Sequence, residues 1–253
     1  MGKADLHIHT AYGDGMAAAP ELLDYVESET DLDVIAITDH DDIGGALAAR
    51  EAWARGRYRF QLVTGIEVTT MEGHILALFV DEPLPCFRPV REVLETVHRR
   101  GGLCIIPHPM CWLTLSLNGR SIRRTIASAG DGVYFDAIEV ANQTPTARRA
   151  VRKAADLNRR EFHLAEVGGS DAHFLSVIGT AHTEFGGETA EDLRRAVLDH
   201  QTRGVNGLHP PFHRLGLGQI ARQTWRGITA TPRAVGWRPT AYSFIRRIFS
   251  YPK

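Results

Sequence analysis

ADLHIHT (residues 4–10) and VIAITDHDD (residues 34–42) each read as a short buried strand running into a cluster of imidazoles and carboxylates. In the first, His7 and His9 are two apart. Side chains at i and i+2 of a strand share a face, so both rings can reach one cation. In the second, the apolar run VIAI reads as a strand buried on both faces, and His40 falls just past its end. The pattern recurs along the chain. TGIEVTTMEGH (64–74) places Glu67 on a third strand and His74 at the start of a fourth. IIPHP (105–109) puts His108 at the end of the next, and GGSDAH (168–173) puts Asp171 and His173 after the seventh. Asp14 lies in the loop after the first strand.

Helical patterns separate these strands. Strands are predicted over 4–9, 33–38, 61–69, 74–80, 103–107, 136–141, 163–168 and 181–185, and helices over 20–28, 42–55, 89–100, 120–129, 145–158 and 190–200. Pro20 and Pro145 suit a first helical turn, where no N–H partner is needed. Thr189 with Asp192 resembles a capping box, and Gly101 and Gly102 form a helix stop. Repeated strand–helix units predict an α/β fold with a parallel sheet, either a closed barrel or an open doubly wound sheet. Both architectures gather their active sites at the C-terminal strand ends. Nine imidazole and carboxylate side chains at one rim suit Zn, Mn or Fe, and the lack of cysteine ligands argues against a structural zinc site. The single helical histidines His98 and His200 read instead as solvated surface residues.

The 253 residues fit one large domain or two small ones, and 43% apolar with 23% charged residues is ordinary globular composition. No apolar run approaches a membrane span, and MGKADLHIHT has no apolar h-region, so neither a transmembrane helix nor a secretory leader is expected. Cys86, Cys104 and Cys111 are odd in number and unpatterned, which predicts buried thiols in a reducing cytoplasm. The net charge of -1 hides an asymmetry: residues 204–253 hold 8 of the 29 basic side chains and no acid, leaving the first 203 residues at a charge of -9. That break, punctuated by Gly204, Gly207, Pro210 and Pro211, predicts an acidic body over 1–203 and a basic extension over 204–253. Phe244, Ile245, Ile248 and Phe249 beside Arg246 and Arg247 suit a short amphipathic helix. The extension is expected to stand apart from the metal centre and to dock on the body, bind nucleic acid or lie on an anionic membrane surface, where Trp225 and Trp237 would suit an interface.

Taken in order, DLHIHT, ITDHDD, TGIE, HILAL, IIPHP and GGSDAH resemble the motifs of the polymerase-and-histidinol-phosphatase (PHP) family of metallophosphoesterases. The resemblance covers about residues 3–185 and is specific as a set. It implies a distorted (β/α)7 barrel with two or three divalent ions. By that resemblance, His7, His9, Glu67 and Asp171 would hold one ion, and Glu67 would bridge to a second held by His74 and His108. His40, His173 and Asp14 would hold a third. No ligand position of the family is visibly lost, which favours a working enzyme. The length suits the small stand-alone members that act on nucleotides or short nucleic acids. Asp39 is expected to orient a ligand imidazole from behind.

The implied reaction is in-line attack of an activated water on a phosphoric ester, most simply a monoester of a nucleotide or other small metabolite. An exonuclease-like diesterase and an amidohydrolase-like hydrolase of C–N or lactone bonds are the alternatives. A fixed cation for the phosphate is sought in Arg120, Arg123 and Arg148, because arginine can bind phosphate through two bonds. Asn142 or Gln143 could meet a base or sugar. His182, in GTAHTEF, is either a strand histidine or the group that protonates the leaving oxygen.

Overall fold

The structure, a computed structural model, describes residues 1–130, 132–144, 147–208, 210 and 215–237. Pro145, His209, His213 and the apolar positions Phe244, Ile245, Ile248 and Phe249 lie outside the described residues. In chain order the elements are β1 (Gly2–Ile8), α1 (Ala19–Glu29), β2 (Val34–Ile37), α2 (Gly44–Arg55), β3 (Gln61–Thr69), β4 (His74–Leu78), α3 (Val90–Arg99) and β5 (Leu103–Ile106). There follow α4 (Gly119–Ala127), β6 (Ala137–Ala141), α5 (Arg148–Leu157), β7 (Ala165–Gly168), β8 (Ala181–Phe185), α6 (Ala190–Leu198), β9 (Arg203–Asn206) and α7 (Leu217–Val235). Eight strands and six helices match the sequence expectation to within a few residues; β9 and α7 were not anticipated. The Thr189–Asp192 capping box forms in both directions at α6.

All nine strands join one sheet in the order β7-β6-β5-β4-β3-β2-β1-β8-β9. It is mixed, not parallel as the strand–helix alternation predicts. β3 and β4 are antiparallel because only Thr70–Gly73 separates them, a turn locked by the hydrogen bonds of Thr70 with Gly73. A parallel pair needs a crossover of a dozen or more residues. β4–β5, β1–β8 and β8–β9 are antiparallel as well.

The sheet curls into a nearly closed barrel. Its seam lies between β7 and β8, where the Thr183 hydroxyl bonds both the N–H and the C=O of Gly168, each at 2.9 Å. A Cβ on Gly168 would sit 2.3 Å from the carbonyl oxygen of His182, so only glycine lets the strands approach this closely. Gly204 on β9 meets the same constraint, 2.5 Å from the oxygen of Val167. The sheet thus runs to Asn206, two residues beyond Gly204, where the composition breaks. One face of the sheet packs against helices around Ile35, Ile37, Ile66, Val93 and Leu94, and the other fills the barrel with Leu6, Val34, Leu76 and Ile105.

Candidate metal centre

The residues singled out from strand ends converge. β1 delivers His7 and His9, the turn after β2 His40, β3 Glu67, β4 His74, the end of β5 His108, and the turn after β7 Asp171 and His173. Their donor atoms form four overlapping groups, each with its atoms within 4.8 Å of one another: His9–Asp14–His40–His173, His7–His108–Asp171, His7–His9–Glu67 and His40–Glu67–His74. Glu67 is at the middle, with its two oxygens facing different rings. Oε1 is 2.7 Å from His74 Nδ1 and 2.8 Å from His108 Nε2. Oε2 is 3.2 Å from His7 Nε2, 3.4 Å from His9 Nε2 and 3.3 Å from His40 Nδ1. Asp171 Oδ1 approaches His7 and His9 at 3.5 and 3.4 Å, and Asp14 Oδ2 lies 2.9 Å from His173 Nε2.

Several rings are aimed from behind. His7 Nδ1 donates to Glu139 Oε1 at 2.9 Å, and the other Glu139 oxygen accepts from the N–H of His108 at 2.6 Å. His173 Nδ1 donates to the carbonyl of Asp171. Ser116 gives its hydroxyl proton to the carbonyl of His108 and so accepts from His108 Nδ1 at 2.8 Å. As neutral ligands in that tautomer the rings would turn the lone pair of Nε2 toward carboxylate oxygen, an arrangement of facing lone pairs that a cation between them would satisfy. His9 Nδ1 and Nε2, Asp14 Oδ1, His40 Nδ1 and His74 Nδ1 are buried with no hydrogen-bond partner among the described residues. Buried orphan donors and acceptors are rare, so this all-N/O set fits divalent cations of the Zn, Mn or Fe type.

The electrostatics agree. Burial alone would raise Glu67, yet His40, His74, His7 and the bond from His108 hold it well below the usual carboxylate range. Asp171 is lowered against its burial by His7, His9 and His173. Asp14 lifts His173 to about 10 in spite of desolvation, while burial and then His173 press His9 down to about 4. Asp171 and His108 both have left-handed backbone, at φ 54° and 28°, which non-glycine residues adopt at a cost of order 1–3 kcal/mol.

Other expected site residues are placed differently. Asp39 does not orient an imidazole: it accepts from the N–H and hydroxyl of Thr10 at 2.7 and 2.6 Å, anchoring the loop after β1, and burial pushes it up to about 7. Glu139, unsuspected from sequence, takes the orienting role; its signal was an acid inside the buried strand AIEVA. Asp5, another missed acid, binds the N–H and hydroxyl of Ser170 and the N–H of Gly179, fixing the GGSDAH turn. Asn142 donates to Glu139 and accepts from Thr144, so its amide serves the loop and not a substrate. Arg123 is paired through two bonds with Glu161 at 2.5 and 2.9 Å, leaving its fork engaged. Arg120 and Arg148 are exposed at the starts of α4 and α5. His182 bonds the carbonyl of Gly179 at 3.3 Å, and no hydrogen bond or ion pair links it to the cluster among the described residues. His98 is no surface residue: its ring bonds Asp136 and the carbonyl of Gly132 and stacks on Tyr134.

α7, from the basic extension, crosses beside the loop that carries Asp14. Arg226 donates to the carbonyls of Ala11 and Gly13, Arg233 to that of Gly13 at 3.0 Å, and Thr231 to Asp41 at 2.7 Å. Gln223 Nε2 approaches Asp14 Oδ2 at 3.4 Å. α7 thus docks on the body, one of the destinations expected for the extension, and none of its residues joins the ligand groups among the described residues.

Comparison with known proteins gives relatives in sequence and in fold. A family model described as PHP-associated matches residues 148–202. An uncharacterised protein of Methanocaldococcus jannaschii, MJ1587, is 34% identical over 47% of this chain and 74% of its own length. The 5′-3′ exoribonuclease Rnm of Salmonella typhimurium is 38% identical over 39% of this chain and 35% of its own. The 3′,5′-nucleoside bisphosphate phosphatase of Chromobacterium violaceum is 34% identical over 34% of this chain and 30% of its own. The chain thus spans about a third of the length of these two enzymes. In fold it resembles a two-domain protein of Bacteroides vulgatus described as containing a predicted PHP-like metal-dependent phosphoesterase, with a TM-score of 0.61 at 19% identity over 88% of this chain and 69% of that one.

Proposed function

The chain belongs to the PHP family of metal-dependent phosphoesterases, and from that premise we propose that it hydrolyses a phosphoric monoester of a nucleotide or similarly small metabolite. The observation that supports this most directly is the division of Glu67: one oxygen faces His74 and His108, the other His7, His9 and His40. A carboxylate so placed suits a bridge between two ions, with His9, Asp14, His40 and His173 offering a third position.

Two or three divalent ions, Mn, Fe or Zn, would supply an activated water, neutralisation of phosphoryl charge and a template for in-line displacement. The chain's own part is to hold the rings in one tautomer. Glu139 aims His7, Ser116 aims His108, and the Asp171 carbonyl aims His173. Asp39 and Asp5 pin the two loops that bring Asp14 and Asp171 into range.

The nucleoside bisphosphate phosphatase among the relatives favours a monoester. The exoribonucleases favour a second reading, removal of nucleotides from a short nucleic acid. No helix of the described residues is long and apolar enough to cross a membrane, and no disulfide joins Cys86, Cys104 and Cys111. A cytoplasmic location is part of the proposal and rests on the odd number and unpatterned spacing of the cysteines. Elemental analysis of protein purified with metal supplement should find about two to three ions per chain. Turnover with Mn²⁺ of p-nitrophenyl phosphate, adenosine 3′,5′-bisphosphate and an oligonucleotide then separates the readings. Less than about half an equivalent of metal with no metal-restored hydrolysis of any of them overturns the proposal.

A further inference from the structure

α7 brings Arg226 and Arg233 against the 11–13 loop of the centre, with Arg222 one turn before Arg226. Arg222, Arg226 and Arg233 stand at i, i+4 and i+11, a spacing that keeps them on one stripe of a helix. Arg226 lies close enough to feel both of the others, as well as Asp14 and Asp39. Like charges gathered in this way ordinarily carry counter-charges, yet among the described residues no carboxylate comes within 4.0 Å of any of the three guanidiniums. Arg226 spends one terminal nitrogen on the carbonyls of Ala11 and Gly13, the loop between His9 and Asp14. Its Nε is buried with no hydrogen-bond partner among the described residues. An orphan charged donor held rigidly beside an anion-processing centre calls for an oxyanion acceptor.

The sequence points to α4 and α5 for the phosphate-binding arginine, but the fork of Arg123 is closed by Glu161. We propose that Arg222, Arg226 and Arg233 form an oxyanion subsite beside the metal centre, and that it takes a second, non-reacting phosphoryl group of the substrate. The inference rests on the phosphoesterase reading and adds a substrate class to it: esters carrying two phosphoryl groups, or one phosphoryl group next to a diester. The basic extension then belongs to substrate recognition. Its segment 217–235 reaches across to a loop at the opposite end of the sequence for that purpose.

The test uses full-length protein loaded with Mn²⁺ and three variants, Arg222→Ala, Arg226→Lys and Arg233→Ala. Lysine keeps the charge of Arg226 but loses the planar fork. Loss of a charge-assisted contact should raise KM for adenosine 3′,5′-bisphosphate by about tenfold, and KM for p-nitrophenyl phosphate, which has no second phosphoryl group, by less than about threefold. Arg226 and Arg233 also hold the 11–13 loop, so a fall in metal content on their replacement would reflect loop structure. Arg222 has no bond to that loop among the described residues, and its variant decides such a case. A parallel measurement is independent of turnover: calorimetric binding of inorganic phosphate in the presence of EDTA, expected to weaken about tenfold in Arg222→Ala. Equal KM changes for both substrates, or phosphate binding unaltered in Arg222→Ala, overturn the subsite. If wild-type protein binds phosphate through these arginines yet hydrolyses neither ester, the phosphoesterase reading fails and the subsite stands.

Discussion

At the scale of single residues, two glutamates near one histidine should behave differently. Glu67 offers both oxygens to five rings, so Glu67→Gln removes the counter-charge on which the cluster depends. Hydrolysis should fall by orders of magnitude even in excess metal. Glu139 is in none of the ligand groups and accepts from His7 Nδ1, the N–H of His108 and Asn142, so Glu139→Gln should weaken metal affinity about 10–100-fold and be rescued by added metal. Metal titrations of activity in the two variants check this, and a Glu139 variant that excess metal fails to rescue would contradict the assignment. Glu67 was legible because its neighbours in sequence announce a strand end. Glu139 carries the same local signature, an acid in an apolar strand, but its partner lies 132 residues away, and no local pattern records that distance. His98 was misread for a similar reason. Its ring is flanked by two acceptors, the Asp136 carboxylate and the Gly132 carbonyl, and these outweigh its burial and raise its pKa. A group raised in the folded state contributes stability that is complete below its unfolded pKa of about 6.5 and is lost as pH rises through the folded value. His98→Gln should therefore cost about 1–3 kcal/mol near pH 6 and progressively less at alkaline pH, as read from urea midpoints of both proteins across that range.

At the scale of elements, the barrel seam is a place where one methyl group matters. Gly168→Ala would drive a Cβ to 2.3 Å from backbone oxygen on β8, and backbone cannot swing aside as a flexible side chain would. A loss of about 2–3 kcal/mol in chemical denaturation is expected, and a neutral result would show that β7 and β8 part more easily than their Thr183–Gly168 bonds suggest. Six of the helices and eight of the strands are readable from periodicity and caps, since those signals are local. The direction of β4 and β8 was not, because strand polarity follows from what the connection can span. α7 is not legible either: its contacts reach 190 to 220 residues back, to Asp41 and Gly13, and only the folded barrel gives its face something to meet.

At the scale of the whole molecule, an acidic body of charge -9 carries α7, with Arg222, Arg226 and Arg233, beside the rim that holds its candidate ligands. Ions bound there should stabilise the fold by mass action, about 2.7 kcal/mol at a hundredfold excess over the dissociation constant. Chelation should lower the melting temperature, and Mn²⁺ should restore it in proportion to the logarithm of its concentration. A melting temperature indifferent to chelator would mean that the cluster holds no ion in solution. The placement of α7 has a further consequence, in time instead of space. Every candidate ligand lies between His7 and His173, whereas the helix beside them begins at Leu217. A chain made from its N-terminus therefore contains every candidate ligand before it contains the helix that comes to flank them.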